Sequence, residues 1–99
     1  MKHHLEVGQL FIPTEGEFPP EFGVLGLFCA TTTFIIEDKF VEWADAIGRS
    51  IEQDGSVDIY PAKEPRFIEW LEMQGFIKRQ PYLQFSVGNN YINSSLDFD

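Results

Sequence analysis

Few side chains in this sequence are of the types that carry nucleophilic chemistry. The two histidines, His3 and His4, are adjacent near the amino terminus, where chains commonly fray, and Cys29 is the only cysteine. Nucleophilic catalysis needs a base within hydrogen-bond reach of a Ser, Thr or Cys, and usually a third group that orients the base. Cys29 instead lies between Phe28 and Ala30 in an apolar run, so we interpret it as a small buried hydrophobe.

Ligand sets for metals and phosphate-bearing cofactors are also incomplete. A zinc site needs three or four converging His, Cys or carboxylate ligands at characteristic spacings. His3 and His4 do not reach that number, and adding Glu6 gives only a weak, adventitious site. No G-x-G-x-x-G occurs, and no glycine-rich loop carries a Lys followed by Ser or Thr. We therefore predict neither a metal nor a cofactor.

Carboxylates are the abundant reactive groups, and a pair of carboxylates can divide the acid and base roles of an enzyme. The candidate groups for such an enzyme, brought together in a cleft, are Glu69, Glu72, Tyr60 and Tyr82. General acid–base catalysis works best with a pKa near the operating pH, and no histidine is placed for that task. The sequence therefore predicts a protein that is not an enzyme.

The charge balance restricts the class of partner. Acidic residues outnumber basic residues sixteen to seven, and residues 5–58 alone hold eleven acidic and two basic residues. The formal net charge of −9 opposes binding to phosphate backbones, which depends on Lys and Arg displacing counterions. We expect neither a nucleic acid nor an anionic membrane as a direct partner. A field of this sign steers cationic partners toward the protein.

An amphipathic helix over Asp38 to Asp54 is the clearest element that would position these carboxylates. Its apolar face recurs at spacings of three and four and comprises Phe40, Trp43, Ala44, Ile47 and Ile51. Asp38 is the expected N-cap, and Gly55 is the expected residue after the helix end. The opposite face carries Glu42, Asp45 and Glu52, with Arg49 expected to pair with Asp45.

The remaining pattern predicts strands around a second helix. Alternating or β-branched runs indicate strands at 5–12, 23–36, 56–60, 76–80 and 82–87. The long run over 23–36 needs a bulge at Gly26 or a break near Ala30. A helix from Pro65 to Gly75 has Phe67, Ile68 and Leu71 on its inner face.

These elements predict an α+β fold in the order β-β-α-β-α-β-β. We expect a small mixed or antiparallel sheet of about five strands with two helices. Ninety-nine residues, 43% of them hydrophobic, fit a single compact domain over residues 1–99. An acidic proline-rich loop is predicted at 13–23 and a flexible tail at 93–99.

Surplus carboxylates combined with aromatic residues in loops predict a protein-binding surface. Aromatic anchors supply contact area, and carboxylates steer a basic partner. The leading hypothesis is a non-enzymatic acidic module that occupies a basic surface of a nucleic-acid-handling protein. Inhibitors or antidotes of the immunity, antitoxin or phage anti-defence type act in this way. The residues assigned to the contact surface are Glu15, Glu17, Phe18, Glu21, Phe22, Glu42, Asp45 and Glu52.

The alternative hypothesis is a small structural or assembly subunit that self-associates through strand edges or through the aromatic loop. This alternative implies a homo-oligomer. A single cysteine allows no internal disulfide, and we expect a cytoplasmic protein. The longest apolar run, Val24 to Ile36, is well short of the roughly 20 residues that a bilayer-spanning helix needs.

Overall fold

Two helices and nine short strands make up the part of the chain that the structure describes. The structure, a computed structural model, describes residues 1–16, 23–59, 63–85, 87–88 and 91–92, the last two pairs as backbone only. The elements are β1 (His4–Leu5), β2 (Leu10–Phe11), β3 (Thr14–Glu15), β4 (Gly23–Val24), β5 (Leu27–Ala30), β6 (Phe34–Ile35), α1 (Ile36–Ala46), α2 (Phe67–Met73), β7 (Ile77–Gln80), β8 (Val87–Gly88) and β9 (Tyr91–Ile92). The predicted α+β class is confirmed. The predicted tail at 93–99 lies outside the described residues.

All strand pairs among these residues are antiparallel. The central sheet has the order β2-β5-β7, and three two-stranded pairs join β1 to β6, β3 to β4 and β8 to β9. In the central sheet Cys29 of β5 lies opposite Leu10 of the neighbouring strand β2 and opposite Lys78 of the neighbouring strand β7. Because directly opposed residues point to the same face of a sheet, these three side chains share one face.

A bulge at Gly26 interrupts the predicted long strand, as its length required. Phe11 pairs with Phe28, and the Leu25 N–H donates to the Pro13 carbonyl at 3.0 Å. On one strand two residues lie between Leu25 and Phe28. On the opposite strand only one residue lies between Phe11 and Pro13. The extra residue on the first strand defines a bulge. Gly26 has a φ of +142°. A second interruption follows Ala30, where β5 ends.

The hydrophobic core lies between the inner face of the central sheet and α2. Its most buried large side chains are Phe28 from β5 and Leu71 from α2. The whole buried cluster is Leu5, Phe28, Ala30, Phe34, Leu71 and Ile77. The two helices meet through three rings, Phe40, Trp43 and Phe67, whose centroids are 5.2 to 5.7 Å apart. Trp43 satisfies its indole N–H by donating to the Pro65 carbonyl at 2.9 Å.

The first helix is shorter than predicted at its carboxyl end and begins two residues earlier. Its N-cap is Ile35, with no side-chain cap, so the prediction that Asp38 caps the helix is wrong. The helix ends in a Schellman motif, in which Gly48 donates to the Asp45 carbonyl and Arg49 to the Ala44 carbonyl. Gly48, with φ of +71°, therefore holds the position that the sequence pattern predicted for Gly55.

The second helix ends where the sequence predicted. Gly75 adopts a φ of +83° and donates to the Glu72 carbonyl, while Phe76 donates to the Leu71 carbonyl. This is again a Schellman motif. The amino end differs, because Arg66 is the N-cap and Pro65 precedes the helix instead of opening it.

Residues 56–59 do not form the predicted strand, and Tyr60 lies outside the described residues. The Ser56 N–H and hydroxyl both donate to the Asp54 carboxylate, and the Ser56 carbonyl accepts from the Glu52 N–H. These bonds close a turn. Val57 and Ile59 are half-buried, so their alternation reflects packing without a neighbouring strand.

The predicted hairpin between 76–80 and 82–87 is also wrong. β7 pairs with β5, and residues 81–85 form no strand. Pro81 has no N–H to continue the ladder beyond Gln80. Two further differences are smaller: the predicted strand over 5–12 is divided into β1 and β2, and the predicted loop over 13–23 contains β3.

Candidate functional site

Two of the predicted contact residues, Glu42 and Asp45, lie exposed on α1 as expected. The Glu42 carboxylate is 2.8 Å from the Lys39 ammonium, three residues earlier on the same helix. Asp45 does not pair with Arg49, contrary to the prediction. The Arg49 guanidinium instead lies 3.5 Å from the Glu64 carboxylate, because Arg49 follows the helix end and points elsewhere.

Asp45 occupies an electrostatically unfavourable position in its helix. It lies in the last turn of α1, which holds no basic residue. The carboxyl end of a helix carries a partial negative charge of roughly half an elementary charge, and cations are favoured there. A carboxylate at this point adds to the negative potential of the helix end. Proteins break one or two local rules of this kind at functional or strained sites.

Glu52 is exposed but does not lie on the helix, and that part of the prediction is wrong. The helix ends at Ala46, so Glu52 belongs to the turn that its backbone forms with Gly55 and Ser56. Asp54 lies in the same turn, where hydrogen bonds from the Ser56 side chain and backbone lower its pKa. We call residues 45–58 the acidic segment. It contains four carboxylates and one base, Arg49.

Glu15 is neutralised by a neighbouring base. It lies in β3, half-buried, and its carboxylate forms an ion pair with the guanidinium of Arg66, the N-cap of α2. The predicted contact residues Glu17, Phe18, Glu21 and Phe22 lie outside the described residues.

The bases of the protein are largely engaged in ion pairs with its own acids. Among the described residues the pairs that involve Lys or Arg are Lys2–Asp38, Lys39–Glu42, Arg49–Glu64, Arg66–Glu15 and Arg79–Glu72. These pairs are at least partly exposed, so each contributes little to stability. Their main effect is on the potential, because the one base of the acidic segment, Arg49, pairs with a carboxylate outside the segment.

A second group of polar contacts joins the amino terminus to the start of α1. The Glu37 carboxylate accepts hydrogen bonds from the His3 Nδ1 at 2.7 Å and the His3 backbone N–H at 2.6 Å. These bonds, the side-chain one first, lower the pKa of Glu37 from 4.5 to about 2. His3 is thus engaged in this contact with Glu37.

The groups of the enzyme alternative are not brought together within the described chain. Glu72 accepts two hydrogen bonds from the Arg79 guanidinium, at 3.1 and 3.3 Å. The Tyr82 hydroxyl contacts Gln84 at 3.4 Å, and Glu69 is exposed on α2. Tyr60 lies outside the described residues. Over the described ranges, no group of three or more His, Cys, Asp and Glu side chains is arranged to hold a metal ion.

The structure also reveals an apolar surface that the sequence pattern did not single out. By register, Leu10 and Cys29 face away from the core, and Leu27 lies on the same face one pair further along. This face continues into a shallow groove of about 250 Å³ lined by Ile12, Val24, Tyr82, Leu83, Gln84 and Phe85. We call these residues, together with Lys78 opposite Cys29, the outer face.

A sequence signal for the outer face exists in the alternation of large apolar residues at 10 and 12 and at 83 and 85. Such alternation predicts strands with one buried side. Leu83 is instead 78% exposed and Ile12 58% exposed. The second helix packs on the other side of the sheet, where it contributes Leu71 to the core.

No protein-family model, curated protein or solved structure matches the chain. None of the helices in the described ranges has the length and apolar character required to cross a membrane.

Proposed function

We propose that this protein is a non-enzymatic acidic binding module that occupies a basic surface of another protein, acting as an inhibitor or antidote of a nucleic-acid-handling protein. The observation that carries the proposal is the unbalanced acidic segment. Its single base, Arg49, pairs with Glu64, which lies outside the segment. The carboxylates of Asp45 and Glu52 are exposed and available to a cationic partner.

The negative end of α1 supports the same proposal. The partial negative charge of the helix end adds to the charge of Asp45, so the negative potential there is stronger than the carboxylates alone would produce. Complementary charge of this kind raises association rates and selects partners by sign. Glu15 and Glu42, which already have basic neighbours, contribute less than the sequence pattern implied.

The test is capture of partners by the immobilised full chain, from the source cell and from the products of neighbouring genes, at low and moderate salt. We expect a basic protein to be recovered and to bind more weakly as salt rises. The Debye length falls from about 30 Å at 0.01 M to about 8 Å at 0.15 M ionic strength. Recovery of no basic protein under either condition would contradict the proposal.

A matched pair of variants localises the binding surface. Asp45→Lys and Glu69→Lys change the net charge equally, and both positions are exposed on helices. We expect Asp45→Lys to reduce capture strongly and Glu69→Lys to leave it nearly unchanged. Asp45→Lys also relieves the conflict with the helix dipole, so loss of binding by this variant does not reflect unfolding. Equal loss by both variants would mean that total charge, and not this segment, determines binding.

A second candidate function is an assembly subunit, and the outer face favours it. Exposed apolar patches of several large side chains mark association surfaces in proteins that fold on their own. Acidic steering and self-association use different surfaces of this molecule and respond to salt in opposite directions.

A further inference from the structure

The strands of the central sheet carry no carboxylate, although the protein has sixteen. Residues 7–14 and 23–36 contain no charged side chain, and residues 73–85 contain only Lys78 and Arg79. Arg79 lies on the inner side, with its guanidinium 4.8 Å from the Phe28 ring centroid and paired with Glu72. Lys78 is therefore the one charged group among the described residues of the outer face, and it lies on the edge strand β7.

The outer face is large enough to form an interface. Six of its apolar side chains, Leu10, Ile12, Val24, Tyr82, Leu83 and Phe85, are 37% to 78% exposed. Their combined exposed area is on the order of the 300–600 Å² of the largest patch on a typical monomer. A standard interface buries about 800 Å² per partner and has an apolar centre with a polar rim, so this patch is of the size expected for the apolar centre.

The charge pattern identifies the occupant. A basic partner steered by the acidic segment gains nothing at the outer face, where the only charged side chain among the described residues is a lysine. Two copies of this chain repel each other through a net charge of −9 each, and the repulsion is least where no carboxylate lies. A two-fold symmetric contact brings the same patch of both subunits together, and an apolar patch can meet its own copy without opposing like charges at the centre.

We propose that the outer face packs against the same face of a second copy of this chain, forming a symmetric homodimer. Ile12, Leu83 and Phe85 form the centre of the contact, and Lys78 lies at its rim. This inference does not rest on the acidic-binding proposal. It names the surface by which the assembly alternative would operate.

The first experiment is sedimentation of the full chain from low micromolar to several hundred micromolar concentration, at low and moderate salt. We expect a concentration-dependent monomer–dimer equilibrium that strengthens as salt rises, because salt screens the repulsion between like-charged copies. Binding to a basic partner weakens under the same change, so failure of one proposal is distinguishable from failure of the other. A monomer at every concentration and salt would overturn the homodimer, leaving the face to the chain's own remaining segments or to a different protein.

A matched pair of lysine variants identifies the surface. Leu83→Lys and Val41→Lys each reduce the net negative charge by one, and Val41 is 54% exposed on α1. Added positive charge lowers the overall repulsion, so any loss of dimer must arise at the substituted site. We expect Leu83→Lys to raise the dimer dissociation constant by about tenfold or more, since each dimer contains the change twice. We expect Val41→Lys to leave it unchanged or lower it slightly. Equal dimerisation by both variants would overturn the proposal.

The single cysteine gives a second readout that needs no variant. Cys29 lies half-buried on the outer face, opposite Leu10 and Lys78. We expect the rate of modification of its thiol by a small disulfide reagent to fall several-fold as protein concentration passes the dimer dissociation constant. A dimer detected by sedimentation that leaves the thiol rate unchanged would place the contact elsewhere and overturn the proposal.

Discussion

At the residue scale, hydrogen bonds and not burial lower the pKa values of two carboxyl groups in the described part of the chain. Glu37 and Asp54 both have lowered pKa values, and in each case a hydrogen bond from a neighbouring side chain is the largest cause. Charge-assisted hydrogen bonds favour the ionised form of a carboxyl group. Such carboxylates contribute to stability only while they are ionised.

Replacing His3 should restore the titration of Glu37 toward its ordinary range. We expect the pKa of Glu37 to be about 2 in the native protein and to rise toward 4.5 in His3→Ala. It should stay below 4.5, because the residue 3 backbone N–H still donates to this carboxylate. NMR titration of the Glu37 side chain measures both values.

The sign of the pH dependence follows from the direction of this shift. A lowered pKa in the folded state means that Glu37 contributes stability above pH 4.5, and that this contribution is lost as pH falls toward 2. His4→Ala is the matched control, since His4 lies beside His3 without bonding to Glu37. A native Glu37 that titrates near pH 4.5, or an equal shift in His4→Ala, would contradict the assignment.

At the element scale, glycines decide where helices and strands are interrupted. The apolar periodicity of the first helix continues to Ile51, yet the helix ends at Ala46 because Gly48 adopts a positive φ. Once Arg49 bonds back to the Ala44 carbonyl, the next helical hydrogen bonds cannot form. Gly26 acts similarly in the sheet, where its bulge shifts the pairing register by one residue between the β2–β5 pair and the β3–β4 pair.

Two glycine-to-alanine variants compare backbone strain alone, at Gly75, with backbone strain and steric overlap together, at Gly26. An added Cβ at Gly75 meets no atom within 4 Å, so we expect Gly75→Ala to cost only the left-handed backbone penalty of about 1–2 kcal/mol. At Gly26 an added Cβ would lie 2.9 Å from the Arg79 Nη1 and 3.2 Å from the Phe28 Cε2. Gly26→Ala should therefore lower the free energy of unfolding by more than Gly75→Ala.

Denaturant unfolding of the two variants and the native chain measures these differences. Gly75→Asn serves as a control, since Asn tolerates the left-handed conformation better than Ala and should cost less. If Gly26→Ala cost no more than Gly75→Ala, the Arg79 and Phe28 side chains would have moved to accommodate the added Cβ, and the expected overlap would be contradicted.

At the scale of the whole molecule, charge is separated from the apolar sheet. The acidic segment comprises the end of α1 and the residues after it, whereas the central strands and residues 81–85 carry no carboxylate. A net charge of −9 on a chain this small destabilises the compact state through self-repulsion. The ion pairs offset this repulsion only in part, because their side chains are at least partly exposed to solvent.

The melting temperature should therefore rise with salt. Scans from low to physiological ionic strength, at a protein concentration too low for association, are expected to show a steady increase as repulsion is screened. The double variant Asp45→Lys/Glu52→Lys replaces two acids by two bases, which brings the net charge closer to zero, and should show a smaller increase. A melting temperature that falls with salt would mean that the ion pairs outweigh the repulsion.

The sequence alone was sufficient for the α+β class, for the inner faces of both helices except Ile51, which lies beyond the end of the first helix, and for an interruption of the long apolar run at Gly26 or near Ala30. Each of these depends on local properties: side-chain periodicity, the conformational freedom of glycine and the length of an apolar run. Trp43 and Leu71, predicted to be on inner faces, are buried. The surplus of carboxylates is likewise a property of composition, which folding does not alter.

The tertiary structure decided which strands pair, which carboxylates keep a free charge and which apolar residues stay exposed. The alternation at 83 and 85 is the same whether its apolar side is buried or open, because only the position of the helices determines which side is covered. In the same way, Glu15 and Asp45 are equivalent in composition. Arg66, which is distant in sequence, neutralises Glu15. Asp45 instead lies exposed in the last turn of α1, which holds no basic residue.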